Sequence, residues 1–386
     1  MNHALYIGII LLIGTFGGKT ARIARLPSVT GYILIGLLLG PSFLNLFTKE
    51  LIGDLAFVNQ IALGILSVSI GGELHRNVFK KYGKRLFIIS FGDELLTLIL
   101  GTGFTYLLGA PFDVAVILGI LAMTVSPSGV ISIINEYRTK GEFTKNVLAL
   151  VAIDNLNCIV IFGIATAIIQ GIYSPAIAGI GMITSVIVEI GLAVIFGVLA
   201  GIALAWMVRR NTETPKLLTI LLGLVLVNTG LADQFNLSAL LVNMIMGGVA
   251  TNMIPRRAVL AATMERVELP IFIAFLTLAG AKLDLRIFDT VGLIVVGYVI
   301  ARFVGKSLGS YLASKFTTLP VNMQRNIGLA LTPQAGVAIG LSIIAEEKMP
   351  HASGMITGVV LGGVIVFEII GPLLVKVALK NTGEIT

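Results

Sequence analysis

The sequence predicts an all-α polytopic membrane protein with about 13 transmembrane helices, organised as inverted repeats that each contain a broken helix. Three observations support this prediction. The 386-residue chain is 56% hydrophobic and only 12% charged, whereas a soluble domain of this size needs a much larger charged surface. Its basic residues fall on alternate loops between apolar segments. Two of those segments also carry similar proline-containing breaks.

The apolar segments define the helices in order, because about 20 mostly apolar residues are needed to cross a bilayer as a helix. The seventh segment is longer than a crossing requires, which predicts a strongly tilted helix that links the two halves. The spans lie at about 4–18, 28–46, 54–72, 86–110, 113–135, 146–170, 175–207, 217–232, 235–252, 269–281, 288–314, 326–345 and 352–375.

The basic residues predict the orientation of the chain. Most of the 27 Lys and Arg residues lie on loops that this span count places on one side of the membrane. The positive-inside rule makes that side cytoplasmic, so we expect the N-terminus outside and the C-terminus in the cytoplasm of a cell-membrane protein. This placement also explains the net charge of +7 without nucleic acid as a partner.

The fifth and twelfth spans each contain a break. The fifth contains TVSPSGV at Thr124–Val130, and the twelfth contains LTPQAGV at Leu331–Val337. Proline removes a helical hydrogen bond, and irregular backbone at membrane depth persists only where it is buried in protein or lines a polar cavity. Matched broken helices are typical of inverted-repeat transporters with a midplane site. The repeats could pair spans 2–6 with 9–13, or spans 1–6 with 8–13.

The breaks offer oxygen ligands, which hard cations prefer. Unwound carbonyl groups and helix ends supply partial charges there. We expect an ion-binding site that includes side chains from both breaks, namely Thr124, Ser126, Ser128, Thr332 and Gln334.

Asp154 lies in the middle of the sixth span and is the only charged residue between positions 147 and 169. An ionisable group at the bilayer centre costs about 2.5–3.5 kcal/mol on insertion scales, and such groups usually serve ion or proton paths. We therefore predict that Asp154, with Asn155 beside it, binds an alkali cation and protons.

Two basic residues in the eleventh span, Arg302 and Lys306, are expected to supply counter-charge. Lys306 either pairs with Asp154 until a cation or proton binds, or belongs to a structural ion-pair network. Arg302 could pair with Glu94 or Glu189. We interpret four further carboxylates that we expect to be buried, Asp93, Glu94, Glu189 and Glu368, as structural.

Several functions are not supported by the sequence. The three histidines lie at or near predicted span ends, and the single cysteine, Cys158, forms no metal-binding cluster with them. There is no Gly-rich phosphate loop followed by lysine and no nucleophile–base–acid constellation, so neither an enzyme nor a cofactor is predicted.

These residues together resemble the monovalent cation:proton antiporter family. The likeness extends from GYILIGLLLGP at Gly31–Pro41 to FEIIGPLLVKVAL at Phe367–Leu379, and includes PIFIAFLTLAGAKLDL at Pro270–Leu285. ALVAIDN falls where the family has an acidic pair, so Asp154 matches its first acidic position. GKSLG falls where electrogenic members have a buried lysine, so Lys306 matches that lysine.

The resemblance implies a homodimer that works by elevator-like movement. Residues 86–170 and 288–379 would form the core ion-transport domain with two crossed broken helices. Residues 1–75 and 217–285 would form the dimerisation scaffold, and residues 175–207 the linker helix.

The chain departs from the family pattern at two positions. Asn155 replaces the second acidic residue of electrogenic members, and Val337 with its neighbours lacks the acidic residue that many members have after the twelfth-span break. One carboxylate makes a one-for-one exchange the simplest coupling, whereas a second proton from Lys306 would make transport electrogenic.

The sequence thus favours a secondary transporter that exchanges a monovalent cation for protons, with Na⁺ slightly favoured over K⁺ and Li⁺ as a further candidate. Two alternatives stay open at this stage. A sodium-coupled organic anion transporter on a similar scaffold would need a basic or roomy polar cavity. The scarcity of basic residues within the spans other than Arg302 and Lys306 argues against such a cavity. A non-transporting sensor derived from an antiporter would bind the cation without flux.

Overall fold

The structure, a computed structural model, describes residues 3–23, 28–72, 76–173, 180–210, 214–235, 237–254, 257–282, 288–352 and 354–385. Within these ranges the regular structure is helical, and no strand occurs. The predicted spans and domain ranges also include residues that lie outside the described ones, namely 1–2, 24–27, 73–75, 175–179, 236, 255–256, 283–285 and 353. The chain divides into two compact units, Met1–His75 with Ser174–Leu283 and Arg76–Tyr173 with Asp284–Thr386.

The first unit contains eight of the helices. They are α1 (His3–Ile23), α2 (Ser28–Leu39), α3 (Lys49–Asp54), α4 (Ala56–Gly72), α9 (Ile180–Arg210), α10 (Thr214–Gln234), α11 (Ala239–Met253) and α12 (Arg257–Lys282).

The second unit contains the other eight α-helices and a short 3₁₀ turn at Pro350–Ala352. The helices are α5 (Arg76–Leu107), α6 (Phe112–Leu121), α7 (Pro127–Tyr137), α8 (Glu142–Tyr173), α13 (Phe288–Ser314), α14 (Val321–Ala330), α15 (Gly336–Lys348) and α16 (Met355–Asn381).

The predicted membrane architecture is confirmed. Each of the 13 predicted spans contains a helix in the part of the chain that is described, and the fifth and twelfth spans each contain two. Seven of the described helices, α1, α5, α8, α9, α10, α13 and α16, are long and apolar enough to cross a membrane. Four shorter ones, α2, α4, α6 and α11, are also apolar. The short α3 was not predicted; it begins at an N-cap, where Thr48 accepts from the Leu51 amide.

Both predicted breaks are present and meet each other. Helix α6 ends at Leu121, and α7 begins at Pro127, where Ser126 caps the new helix by accepting from the Gly129 amide at 3.1 Å. Proline fits the first position of a helix because no partner for its amide is needed there. The amide of Ser126 donates to the carbonyl of Pro333 at 2.8 Å, which joins the unwound segments of the two broken helices.

Close contact between α5 and α13 depends on small residues. A β-carbon at Gly305 would lie 2.6 Å from Thr97 Cα, and one at Gly309 would lie 2.9 Å from Asp93 Cα. Two glycines one helical turn apart let helix backbones approach closely in membranes. This approach brings Asp93 of α5 within reach of Lys306 of α13.

The first unit uses the same kind of packing. A β-carbon at Gly36 would overlap the Thr277 carbonyl, and one at Gly280 would overlap the Ile33 carbonyl, so α2 lies directly against α12. Gly71 and Gly247 hold α4 against α11 in a similar way. Helices in lipid associate through such packing because lipid tails give little hydrophobic drive.

Candidate functional site

Asp154 is fully buried in α8 and makes two contacts with side chains of other helices. Its Oδ2 lies 2.9 Å from Lys306 Nζ, and its Oδ1 accepts a 2.6 Å hydrogen bond from Ser90 Oγ. The Lys306 side chain is likewise fully buried. A buried ion pair of this kind is strongly destabilised when one partner is removed, because the other charge is left uncompensated.

Lys306 has a second carboxylate partner that the sequence reasoning treated as structural. Asp93 Oδ2 lies 3.0 Å from Lys306 Nζ, and Asp93 Oδ1 accepts from Thr97 Oγ1 at 3.3 Å. The ammonium group therefore lies between two buried carboxylates, one from α5 and one from α8. The available signal was an acidic pair, Asp93–Glu94, inside the apolar part of the fourth span.

Glu94 adds a third carboxyl group to this region. Its Oε2 accepts from Asn157 Nδ2 at 3.0 Å, and Asn157 lies 3.4 Å from the Ser90 hydroxyl that contacts Asp154. The other oxygen, Oε1, is buried and has no hydrogen-bond partner among the described residues. Around the ammonium group of Lys306, carboxyl groups thus outnumber ammonium groups, which favours a bound cation or proton.

Asn155 contacts the broken helix and not Lys306. Its Nδ2 donates to the carbonyls of Val125 at 2.7 Å and Val151 at 2.8 Å, and its Oδ1 accepts from the Val125 amide at 3.3 Å. These bonds use both of its N–H groups and satisfy both backbone groups of Val125 in the unwound segment. The predicted role of Asn155 as an ion ligand stays a prediction.

Arg302 binds backbone carbonyls of both breaks. Its guanidinium donates to the carbonyls of Ala122 between α6 and α7, and of Thr332 at 3.0 Å and Pro333 at 3.3 Å between α14 and α15. It also lies 4.9 Å from the centre of the Phe367 ring. Here Arg302 contacts these carbonyls and not Glu94, because unwound carbonyls lack helical partners and a planar guanidinium can reach several of them. Its role as a counter-charge stays a prediction.

The predicted ligands from the breaks lie where the two unwound segments meet. Gln334 Nε2 contacts the Leu121 carbonyl at 3.0 Å, Thr124 Oγ1 at 3.1 Å and the Tyr298 hydroxyl at 2.7 Å. Thr124 and Thr332 donate to carbonyls of the preceding helix turns. Their role as cation ligands stays a prediction.

The two serines of the first break differ in exposure. Ser126 is buried, whereas Ser128 is exposed and lies 3.2 Å from the Ser126 hydroxyl. Ser126 also caps α7, so its oxygen already has a local partner. Among the described residues, the side chains that contact Asp154 directly are those of Lys306 and Ser90. Ser90 has no signal in the sequence beyond its polarity within an apolar span.

The comparisons with known proteins show the family of this chain. Residues 8–380 match the family described as sodium/hydrogen exchanger, transmembrane. A Na⁺/H⁺ antiporter of Enterococcus hirae is 22% identical over 391 residues, which is 97% of this chain and 98% of the relative.

The fold is similar to that of the sodium proton antiporter MjNhaP1 from Methanocaldococcus jannaschii, solved at pH 8. The TM-score is 0.76 at 18% identity, and the match covers 98% of this chain and 95% of that one. An electron-microscopy structure of the same antiporter gives a TM-score of 0.70 over 98% of this chain and 94% of that one. The chain belongs to the family of transmembrane sodium/hydrogen exchangers, which are multi-pass membrane transporters rather than enzymes.

Proposed function

We propose that the protein is a secondary antiporter that exchanges a monovalent cation for protons at Asp154, with Na⁺ slightly favoured over K⁺, and with Li⁺ as a further candidate. The observation that carries this proposal is the buried contact between Asp154 and Lys306 at 2.9 Å. A carboxylate held by an ammonium group can exchange that partner for a cation or a proton, and both ligands compete for the same oxygen atoms. Such competition couples the two fluxes.

The oxygens near Asp154 suit a small hard cation. Ser90 Oγ lies 2.6 Å from Asp154 Oδ1, and Asn157 lies next to Ser90. Alkali cations, like other hard cations, prefer oxygen ligands of this kind. The preference for Na⁺ over K⁺ is further supported by the Enterococcus hirae relative, whose name specifies Na⁺.

Alternating access would follow from movement of the second unit, which contains Asp154 and both broken helices, while the first unit serves as the scaffold. The resemblance to antiporters supports this elevator-like movement and a homodimer formed through the scaffold. We place the protein in the cell membrane with its C-terminus in the cytoplasm, because the basic loops lie on that side.

The test is ion exchange in liposomes. With a pH gradient imposed, addition of Na⁺ is expected to move protons more effectively than K⁺. Asp154→Asn should abolish this movement and also the thermal stabilisation that Na⁺ gives to the purified protein. The control is Asp233→Asn, which changes an exposed carboxylate in α10 and should leave both signals intact.

Three results would contradict the proposal. Uptake of a labelled carboxylate driven by Na⁺ would show an organic anion transporter. Cation-induced stabilisation without any flux would show a sensor. Proton movement that Asp154→Asn leaves unchanged would place the exchange at another residue.

A further inference from the structure

Lys306 has a second counter-ion besides Asp154. Asp93 lies 3.0 Å from Lys306 Nζ on α5, whereas Asp154 lies 2.9 Å from the same atom on α8. All three side chains are fully buried. Because one ammonium group contacts two carboxylates, the group can lose one partner and keep the other.

We infer that Asp93 is a permanent counter-ion of Lys306, which keeps the lysine charged while Asp154 alternates between cation and proton. The inference rests on the proposed exchange at Asp154. When a cation binds Asp154, Lys306 loses its contact with that residue. The contact with Asp93 remains, so the buried ammonium group keeps a counter-charge. Lys306 therefore has no need to release its proton during the cycle.

The charge count gives the stoichiometry. Counted as two carboxylates, Asp93 and Asp154, and one ammonium group, Lys306, the trio carries one more negative than positive charge. One Na⁺ on Asp154 makes the trio neutral, and one proton on Asp154 does the same. Both loaded states thus carry equal charge, so the exchange is one Na⁺ for one proton and moves no net charge across the membrane.

The local packing supports a fixed contact between Asp93 and Lys306. Gly309 lies against the backbone of Asp93, and Gly305 lies against Thr97, so α5 and α13 are in direct backbone contact on both sides of the pair. Thr97 also donates to Asp93 Oδ1. Glu94, next to Asp93 in sequence, is hydrogen-bonded to Asn157, which leaves Asp93 as the α5 carboxylate on the lysine.

A rival role for Asp93 leads to a different cycle. If Asp93 were itself a cation ligand, Na⁺ would draw both carboxylates away from Lys306, and the stranded lysine would release its proton. Two protons would then exchange for one Na⁺, and the cycle would move one net charge.

The first experiment uses the unmodified protein in liposomes with the membrane potential clamped at different values. At a fixed pH gradient, there is one ratio of the Na⁺ concentrations inside and outside the liposomes at which net flux stops. This ratio should not change with the membrane potential. A cycle that moves one charge would shift this ratio by roughly fortyfold per 100 mV, and such a shift would overturn the inference. An absence of any exchange would instead overturn the proposed function.

The second experiment measures Na⁺ affinity by thermal stabilisation of purified variants. Asp93→Asn should weaken Na⁺ binding by at least about tenfold, because the cation now strands a buried ammonium group. The double variant Asp93→Asn with Lys306→Met has the same net charge as the unmodified trio, so its Na⁺ affinity should return to within about threefold of the unmodified value.

The control is Glu368→Gln, which removes another buried carboxylate of the second unit, on α16. It should not alter Na⁺ affinity. If Asp93→Asn lowers thermal stability but leaves Na⁺ affinity unchanged, Asp93 is only structural. If the double variant stays as weak as Asp93→Asn, Asp93 is a direct ligand. Either result would contradict the inference.

Discussion

The ammonium group of Lys306 lies 2.9 Å from the carboxylate of Asp154, and neither side chain is exposed to solvent. The two residues are 152 positions apart in sequence and belong to the two halves of the second unit. The contact therefore links the half that contains the first broken helix to the half that contains the second. A change in the charge of either residue therefore alters the electrostatics of both halves at once.

Asp154→Asn should separate activity from folding. The amide does not take up and release a proton as a carboxylate does. Na⁺-driven proton movement in liposomes should therefore fall to the level of protein-free vesicles. The fold should persist because Asp93 still neutralises Lys306 at 3.0 Å. Size-exclusion profile and circular dichroism check the fold; residual exchange above one tenth of the unmodified rate would contradict the prediction.

Lys306→Met should destabilise the protein by about 3–5 kcal/mol, because two buried carboxylates then face each other without their counter-charge. The free energy of unfolding in detergent measures the effect. Addition of Asp93→Asn to this variant should recover most of the loss, since a single carboxylate is left at Asp154. The prediction fails if the double variant is less stable than Lys306→Met alone.

Arg302→Met should destabilise the two breaks by about 2–5 kcal/mol, because carbonyls of Ala122, Thr332 and Pro333 lose their charged donor. Arg302→Lys should recover only part of this loss, since one ammonium group cannot reach all the carbonyls that the N–H groups of the planar guanidinium reach. Thermal unfolding measures the stability of each variant and so ranks them. Arg325→Met, which changes an exposed residue of α14, serves as the control.

Asn155→Asp creates an acidic pair with Asp154, yet it should not improve cation binding. The carboxylate lacks the N–H groups that bind the Val125 and Val151 carbonyls. We expect a loss of about 1–3 kcal/mol in stability and no rise in Na⁺-induced stabilisation. Tighter Na⁺ binding by this variant would show that position 155 supplies a second ligand.

Gly305→Val should reduce exchange although every carboxylate is intact. The new side chain begins 2.6 Å from Thr97 Cα, so α5 must move away from α13 and take Asp93 with it. Overpacking of this kind costs about 1–3 kcal/mol. Gly103→Ala in α5 is the matched control, because a β-carbon there meets nothing within 4 Å. Equal stability and flux in both variants would contradict the prediction.

The sequence by itself determined the membrane architecture. Hydropathy and charge placement gave the 13 spans, and proline with glycine gave the breaks between Leu121 and Pro127 and between Ala330 and Gly336. These signals are local, since each depends on the composition of one segment or on the backbone limits of one residue. The sequence also indicated Asp154 and Lys306 as candidate functional residues, because isolated charges within apolar spans are costly.

Only the tertiary structure decided which groups these charges meet. Asp93 joins Lys306 because Gly305 and Gly309 bring α5 and α13 into backbone contact. Arg302 binds carbonyls because two unwound segments meet beside it. Such contacts depend on the rotation of each helix about its axis and on the distance to its neighbours. A hydropathy profile along the sequence gives neither the rotation nor the distance. The sequence shows that a charge needs a partner, while the packing of distant helices selects it.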